Sequence, residues 1–436
     1  MVSSNLEGRL NETNRDYINI DDEREFYTNH YNILRNVIYN ELKKEMPLSK
    51  WLCGHKLGGS YADNLKIAKP DEFDLLIILK FPVNNLIIVK KDTRKPGNVT
   101  LDMTKVLELL QCHPPHKDMY QELKRLVTPE NFLLEDKLQS MISGAVTRAL
   151  SRMSYEINVN GKDARIVYKR CGPAHTMYIN EPDIKYSVDF VPAIRLDAEQ
   201  NILSPEKREY FKDTRYWEAI PKPMKPFEKD NVSFRASYYE AELAMLKNKY
   251  RLKDAVRFMK KFRDSHPNMN NLKSYYIKTL FLWQVTKKPD YYWSMGQLKD
   301  ILIDMFRELK KSLATSNRNG KLPFFWDPQL DLFGSFNQNQ RDQMFNCVAK
   351  KLYTLERADG NLTDDIDLNV TSSFSTRWDR GAPMINRNLV RGGSRQEEIV
   401  EQPLWERVYP MLEEMVEQPL REVGEQPDSS WKCVIA

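Results

Sequence analysis

The feature that most constrains this chain is a short acidic and apolar run, Glu72-Phe73-Asp74 followed by Leu75 to Leu79. Its unbroken Leu and Ile residues predict a largely buried β-strand. Side chains two residues apart in a strand project from one face, so the Glu72 and Asp74 carboxylates should lie side by side. Placing charge at the end of a buried strand is costly. Bound Mg²⁺ would offset that cost, so the run predicts a site for divalent cations.

A glycine-rich turn, Gly58-Gly59-Ser60, precedes the acidic strand by about a dozen residues. Glycine lets the backbone approach a triphosphate closely, and its N–H groups and the Ser60 hydroxyl can hydrogen-bond the phosphate oxygens. Either motif alone is also typical of an ordinary loop or a solvated strand edge. Their combination favours a nucleotide-transferring active site. A third carboxylate is then expected from a neighbouring strand, and Asp189, in the run Tyr186 to Val191, is the candidate.

The composition is that of an ordinary soluble protein. The chain has 436 residues, 41% of them hydrophobic and 29% charged, which is enough for two domains with sizeable cores. Residues Met1 to Asn5 have neither the apolar core of a signal peptide nor the glycine needed for myristoylation, so residence in the cytosol is expected. The cysteines are odd in number and scattered, which favours reduced thiols, and they lie at positions 53, 112, 171, 347 and 433.

Periodic patterns indicate where helices and strands lie. Apolar residues recur at helical spacing from Tyr27 to Leu42 and predict a long amphipathic helix. A mainly helical stretch is expected over residues 101–152, and lysine-rich and aromatic-rich helices after about residue 205. The predicted strands are Phe73 to Phe81, Leu86 to Val89, Tyr155 to Val159, Arg165 to Lys169, Thr176 to Ile179 and Tyr186 to Ile194.

These patterns predict an α+β protein with two lobes. An N-terminal extension covers residues 1–20, a sheet-bearing catalytic lobe residues 21–205, and a helical lobe residues 206–365. From residue 366 to residue 436 the sequence is polar and irregular and repeats Val-Glu-Gln-Pro-Leu, which is typical of a disordered tail.

Basic residues are concentrated in one segment of the helical lobe. Between Lys247 and Asp264 there are eight basic residues and two acidic ones. Such a run is often the solvated face of a helix. A phosphate-binding surface is the alternative interpretation, and the pattern leaves both open. A smaller group, Arg35, Lys43 and Lys44, lies on the polar face of the predicted long helix.

Taken together, the motifs resemble the signature of the cyclic GMP-AMP synthase-like receptors over roughly residues 20–365. The first matching block runs from Gly59-Ser60-Tyr61 through Leu65-Lys66-Ile67 and Pro70 to Glu72-Phe73-Asp74. Ser187-Val188-Asp189 resembles the segment that carries the family's third metal carboxylate. The segments that resemble its nucleotide-binding helical regions are Phe234-Arg235-Ala236-Ser237, Glu242, Met259-Lys260 and Ser274-Tyr275-Tyr276-Ile277-Lys278-Thr279.

This resemblance implies a bilobal nucleotidyltransferase fold, with a mixed β-sheet lobe, a long N-terminal spine helix and a helical C-terminal lobe. Glu72, Asp74 and Asp189 would be the catalytic residues and would hold Mg²⁺ or Mn²⁺. Ser60 would contact the triphosphate. Cations would pair with phosphate, Tyr275 would stack on a base, and the remaining nucleotide-binding residues would be Arg235, Ser237, Glu242, Lys260, Ser274 and Lys278.

The implied function is synthesis of a cyclic GMP-AMP isomer from ATP and GTP, a second messenger of innate immunity that acts on its receptor as the free product. The DNA-sensing member of the family carries a zinc cluster of His and Cys, whereas residues 206–290 here contain no cysteine and only His266. No zinc is therefore expected, and double-stranded RNA is favoured as the activator. An RNA duplex is recognised by shape and backbone charge, and the candidate contacts are Arg35, Lys43, Lys44, Lys247, Lys249 and Arg251.

Two alternatives remain open: a template-independent RNA or oligoadenylate nucleotidyltransferase, and a catalytically silent relative that binds RNA or nucleotide. The complete set Glu72, Asp74 and Asp189 argues against the silent relative.

The last four residues, Cys433-Val434-Ile435-Ala436, match the pattern for prenylation of Cys433. Because one lipid anchors a protein only weakly, a reversibly membrane-associated fraction is expected beside the cytosolic pool.

Overall fold

The acidic run forms the strand that its sequence predicts, within a large mixed sheet. The computed structural model describes residues 5–18, 20–67, 69–112, 117–159, 161–181, 184–314, 320–360 and residue 374. Within these residues the sheet has ten strands. They are β1 Leu52–Gly58, β2 Glu72–Leu79, β3 Ile88–Lys91, β4 Asn98–Asp102, β5 Glu156–Val159, β6 Lys162–Cys171, β7 Ala174–Asn180, β8 Lys185–Asp197, β9 Tyr216–Ile220 and β10 Phe234–Ser237.

Strand β8 organises the sheet because it pairs with three neighbours. The main path of the sheet runs β3-β4-β10-β9-β8-β7-β6-β5, and β2 joins it by pairing with β8. The β2 and β8 strands are parallel, whereas β1 pairs antiparallel with β2 and the other described pairs are antiparallel. This arrangement confirms the predicted mixed sheet.

The described helices lie before, between and after the strands. In the sheet-bearing part and the segment before it they are α1 Leu6–Thr13, α2 Asp21–Leu42, α3 Leu48–Trp51, α4 Gly59–Ala62, α5 Thr104–Cys112, α6 Lys117–Lys124, α7 Glu135–Arg152 and α8 Pro205–Arg208. After the last strand they are α9 Tyr239–Leu246, α10 Tyr250–Asp264, α11 Ser274–Val285, α12 Asp290–Met295, α13 Leu298–Leu313 and α14 Gln338–Gly360.

Helix α2 is the predicted spine helix, and it packs against the strand that carries the acids. The apolar stripe of α2 is buried, and the Tyr31 ring stacks on the Phe73 ring with centroids 4.6 Å apart. Phe73 alternates with Glu72 and Asp74 along β2, so it points to the opposite face of the sheet. The spine helix therefore covers one face and leaves the acidic face for the site.

Four strands, β1, β4, β9 and β10, were not predicted from the sequence. Two of them lie in the part of the chain that was expected to be helical. Strands β9 and β10 lie after residue 205, so the expectation that only helices follow that position is wrong for Tyr216–Ile220 and Phe234–Ser237. Both strands are short and carry charged residues, Glu218 and Arg235, so neither shows a clean apolar run. Their pairing with β8 and β4 stabilises them instead.

Residues outside the two predicted lobes also contribute to the core. The predicted N-terminal extension contains α1, whose Leu6 and Leu10 side chains are buried. Phe374, in the predicted tail, is also buried, and its ring packs edge-on against Phe258 of α10 with centroids 4.7 Å apart. The rest of the predicted tail, including Cys433, lies outside the described residues. Among the residues that are described, no helix is both long enough and apolar enough to cross a membrane.

Candidate active site

Two of the three predicted carboxylates face each other across the parallel pair of strands. Asp74 in β2 is the register partner of Asp189 in β8, although the two residues are far apart in sequence. Glu72 lies two residues before Asp74, opposite Ser187, on the same face. The structure therefore brings the predicted acids to one region of the sheet.

The glycine-rich turn lies directly against Asp74. Gly58 is the register partner of Asp74 in the β1 and β2 pair, and α4 begins at Gly59. Gly59 has φ +63°, and a Cβ atom built on it would lie 1.6 Å from Oδ2 of Asp74. No other residue type fits there unless the carboxylate moves. The turn and the acidic strand thus form one unit, as their combination in the sequence predicted.

The three carboxylates have different surroundings. Oε2 of Glu72 lies 2.8 Å from the ammonium group of Lys66. Oδ1 of Asp189 accepts a hydrogen bond of 2.5 Å from the Thr176 hydroxyl. Oδ1 of Asp74 is buried and has no hydrogen-bond partner among the described residues. Asp74 is therefore the carboxylate with an unsatisfied oxygen, which is the condition that a bound cation would relieve.

Burial also changes the proton affinity of Asp74 and Asp189. It raises the pKa of Asp74 well above its usual range, and the charges of Glu72 and Asp189 raise it further. Burial raises the pKa of Asp189 to about 6, although the Thr176 hydrogen bond acts in the opposite direction. Crowded carboxylates with elevated pKa values are typical of sites built for a positive charge.

The donor set suits a hard divalent cation, since Mg²⁺ and Mn²⁺ prefer carboxylate oxygens. Asp74 and Asp189 fit such an ion, and the unsatisfied Asp74 oxygen supports the fit. Glu72 fits less directly because Lys66 already neutralises it. Accordingly, among the described residues no three His, Cys, Asp or Glu side chains stand ready as a metal-binding group. A third carboxylate ligand would require Glu72 to exchange Lys66 for the ion.

A pocket with about 1040 Å³ of empty space, part of it open to solvent, begins at this unit and extends to the helical region. Gly59 and Asp74 line one end, and Phe324 lines the pocket as well. All eight predicted nucleotide-binding residues contribute to its wall, namely Ser60, Arg235, Ser237, Glu242, Lys260, Ser274, Tyr275 and Lys278. Glu72 and Asp189 are not among the wall residues.

Glu242 and Lys278 form the centre of a buried polar network in this wall. The Lys278 ammonium lies 2.6 Å from Oδ2 of Asp63 and 2.8 Å from Oε2 of Glu242. Glu242 also accepts hydrogen bonds from the Tyr275 hydroxyl and the Trp326 indole N–H. Burial alone lowers the pKa of Lys278, but the charges of Asp63 and Glu242 outweigh burial and raise it. Lys278, in α11, thus links the end of α4, through Asp63, to α9, through Glu242, and these two carboxylates already balance its charge.

Lys260, which is buried, and Arg235, which is half-buried, are cations of a different kind. Lys260 donates to the backbone oxygen of Leu65 at 2.6 Å, and burial lowers its pKa to about 7. The Arg235 guanidinium stacks on the Phe324 ring at 4.3 Å, and burial lowers its pKa. Neither has an ion pair among the described contacts. Both therefore retain the capacity to balance an anion or to meet the edge of a base.

Lys222 is a pocket residue that sequence reasoning missed. Burial lowers its pKa to about 7, and the charges of Arg235, Lys273, Lys95 and Lys225 lower it further. The pocket thus has carboxylates at one end and a concentration of cations near Arg235. The sequence around Lys222, Pro221-Lys222-Pro223, shows no periodic or motif signal that marks it as functional. Only the pairing of β9 with β10 brings it close to Arg235.

The basic segment of the helical region is not a solvated face. Arg257, Lys260, Lys261 and Arg263 in α10 are all buried, and Lys249 is buried in an ion pair with Asp290, 2.9 Å long. Of the two interpretations left open by the sequence, a solvated face does not hold for these residues, because α10 is packed on several sides and its cations are drawn to internal partners. Lys247 is exposed, and Arg251 is partly buried and hydrogen-bonded to Asn11.

The smaller basic group on the spine helix is more accessible. Lys43 and Lys44 are exposed at the end of α2, and Arg35 is partly buried over the Tyr31 ring. Lys44 pairs with Glu41. Burial lowers the pKa of His55, and the charges of Arg35 and Lys43 lower it further. Arg35 and Lys43 therefore lie near His55, and Lys44 follows Lys43 at the end of α2.

Two family models match the chain. The Mab-21 protein nucleotidyltransferase domain matches residues 61–248, and the Mab-21 protein HhH/H2TH-like domain matches residues 251–350. The first match begins directly after the glycine-rich turn and contains the acidic strand β2 and the strands that follow it up to β10. The second contains α10, α11 and α13.

Known proteins similar to the chain include several insect receptors. Cyclic GMP-AMP synthase-like receptor 1 of Drosophila melanogaster is 49% identical over 374 residues, which are 86% of this chain and 98% of that protein. The protein of the same name from Drosophila simulans is 49% identical over 375 residues, 86% of this chain and 95% of that protein. Cyclic GMP-AMP synthase-like receptor of Lucilia cuprina is 42% identical over 374 residues, 86% of this chain and 98% of that protein.

Proposed function

Because this chain belongs to the cyclic GMP-AMP synthase-like receptors, we propose that it is a catalytically active nucleotidyltransferase that joins ATP and GTP into a cyclic dinucleotide when double-stranded RNA binds. The observation that carries the proposal is the pairing of Asp74 with Asp189 beside Gly59. A silent relative would have no need to keep two buried carboxylates on neighbouring positions of paired strands, since their repulsion destabilises the fold.

In this proposal Asp74, Asp189 and Glu72 would hold Mg²⁺ or Mn²⁺, which would supply positive charge for the triphosphate and a more acidic ribose hydroxyl when bound. The chain's own residues bind and orient the nucleotides. The Ser60 hydroxyl and the backbone N–H groups of the turn donate to the phosphate oxygens. Asp189, with its elevated pKa, is suited to accept the proton of the attacking ribose hydroxyl.

The far end of the pocket would hold the bases. Arg235 is held flat by Phe324, so its N–H groups can face the edge of a base rather than solvent. The Tyr275 ring lies in the same wall, where it can stack on a purine, while its hydroxyl is held by Glu242. A second round of attack after the linear intermediate has reoriented would close the ring.

Double-stranded RNA is the proposed activator, and the surface around His55 is its proposed contact. Lys43 and Lys44 are exposed there, and Arg35 lies on the same helix. Phosphate contacts of this kind make binding weaken steeply as salt increases. Replacing both lysines by glutamate should reduce RNA-stimulated synthesis and leave the basal rate unchanged. Equal stimulation by a DNA duplex would contradict the choice of RNA.

The proposed reaction is tested with the purified full chain, ATP, GTP, Mn²⁺ or Mg²⁺ and either an RNA or a DNA duplex, with products identified by mass spectrometry. A cyclic dinucleotide is expected, whereas a ladder of oligoadenylates would favour the template-independent alternative. The double variant Glu72→Ala with Asp74→Ala should make no product. The matched control is Glu156→Ala with Asp163→Ala, which removes two exposed acids on β5 and β6. Normal synthesis by the first double variant would overturn the proposal.

A further inference from the structure

Thr176 lies at the end of a row of polar residues that crosses three strands. In β7 it is the register partner of Asp189, and Asp189 is in turn the register partner of Asp74 in β2. The Thr176 hydroxyl donates to Oδ1 of Asp189 at 2.5 Å. It therefore approaches Asp189 from the side of β8 that is opposite to Asp74.

This hydrogen bond is buried and geometrically constrained. Thr176 is 3% exposed and Asp189 is 5% exposed, so bulk water cannot readily replace the hydroxyl. Threonine is β-branched and stiff at χ1, which means that the β7 backbone largely determines where its oxygen lies. An aspartate has broad freedom at χ2. A hydrogen bond from a rigid donor to one carboxylate oxygen removes that freedom.

The contrast with Asp74 shows what the hydroxyl adds. Asp74 is oriented by shape, because its Oδ2 atom occupies the space that a side chain at position 59 would need, and its Oδ1 atom has no described partner. Asp189 has no such glycine beside it and is oriented by a donor instead. A short hydrogen bond from a hydroxyl to a carboxylate is among the stronger polar contacts available to a buried side chain.

We propose that Thr176 is a positioning residue that orients the Asp189 carboxylate toward Asp74 for binding of the divalent cation. The inference rests on the proposed function, in which Asp189 is a metal ligand. Hydrogen bonds to ligating side chains typically change metal affinity or activity by about 10- to 100-fold when they are lost. Thr176→Val keeps the shape of the side chain and removes only the donor, so it should weaken metal binding by that range.

The experiment measures Mn²⁺ affinity by electron spin resonance of the full chain without nucleotide, and then kcat and KM for synthesis. Thr176→Val is expected to bind Mn²⁺ about 10- to 100-fold more weakly and to lower kcat with little change in KM for ATP. Thr176→Ser keeps the hydroxyl, although not the β-branch, and should bind Mn²⁺ distinctly more tightly than Thr176→Val. Thr147→Val is the matched control, because Thr147 is exposed and its hydroxyl donates to the Ser143 carbonyl within α7.

The outcomes separate this inference from the function on which it rests. Unchanged Mn²⁺ affinity and kcat in Thr176→Val, with a native chain that binds the ion, would overturn the role of Thr176 alone. A native chain that neither binds Mn²⁺ nor makes product would overturn both. If Thr176→Val does not fold, the Mn²⁺ affinity and kcat of Thr176→Ser are compared with those of Thr176→Ala. Both variants lack the methyl group, and only serine keeps the hydrogen-bond donor. Equal impairment of those two variants would assign the residue to packing.

Discussion

The Lys66 ammonium lies 2.8 Å from Oε2 of Glu72, so a cation of the chain itself neutralises one of the three site carboxylates. Lys66 is largely buried, with 12% of its side chain exposed. Glu72 is the first residue of β2, and 35% of its side chain is exposed. The pair stabilises a crowded group of acids in the absence of metal. Metal binding that recruits Glu72 must compete with this pair.

Lys66→Met is therefore expected to destabilise the metal-free protein and to increase the stabilisation that Mn²⁺ provides. Without metal, the free energy of unfolding should fall by about 1 kcal/mol because the repulsion among the acids is no longer balanced. With Mn²⁺, the rise in melting temperature should be larger than for the native chain. Thermal unfolding with and without Mn²⁺ measures both. Lys90→Met is the control, since Lys90 pairs with Asp102 at 3.0 Å away from the pocket.

Gly59→Ala should destroy the site. Its Cβ atom would lie 1.6 Å from Oδ2 of Asp74, and φ is +63°, so both the carboxylate and the backbone must move. We expect synthesis to fall by at least about 100-fold, since small misplacements cost that much. Gly172→Ala is the matched control, because Gly172 has φ +59° with open space around it. If both variants lose the same activity, contact with Asp74 is not the cause.

The buried carboxyl group of Glu218 should make the free energy of unfolding depend on pH. It is fully buried in β9, neither carboxylate oxygen has a hydrogen-bond partner among the described residues, and burial raises its pKa from 4.5 to about 7. The native state thus keeps a proton that the unfolded state releases between pH 4.5 and about 7. Stability should fall as pH rises through this window, and the loss should persist above it.

Glu218→Gln removes the ionisation and should reverse that loss. At pH 8 the variant should be more stable than the native chain by up to about 3 kcal/mol, taking 1.36 kcal/mol per pH unit of the window. At pH 5 the two should differ much less. Urea unfolding at the two pH values measures this. A pH-independent difference would show that Glu218 is not the group responsible.

Lys278→Met should be strongly destabilising. The substitution would leave Asp63 and Glu242 buried without their cation, and removing one partner of a buried ion pair typically costs about 3–5 kcal/mol. Lys299→Met is the comparison, because Lys299 pairs with Asp359 near the surface and should cost less than about 1 kcal/mol. Chemical denaturation of both variants is the measurement. Similar losses for the two would contradict a central role of the network in joining α4 to α9 and α11.

The sequence by itself determined the features that depend on neighbouring residues. The apolar run after Glu72 and Asp74 specified a buried strand, and the side-chain alternation of a strand placed both acids on one face. The apolar spacing from Tyr27 to Leu42 specified the spine helix. The glycine turn and the acidic strand together were sufficient to indicate a nucleotidyltransferase, which the family matches confirm.

The tertiary structure decided which distant residues meet. The sequence indicated Asp189 as the third acid, but no local pattern could show that it is the register partner of Asp74, that Thr176 and Lys66 contact the acids, or that Lys222 joins the pocket. The basic segment in α10 had the composition of a surface, yet Lys260 and Lys261 are buried. Periodicity is a property of consecutive residues, whereas strand register, helix packing and burial of charge depend on contacts between segments far apart in the chain.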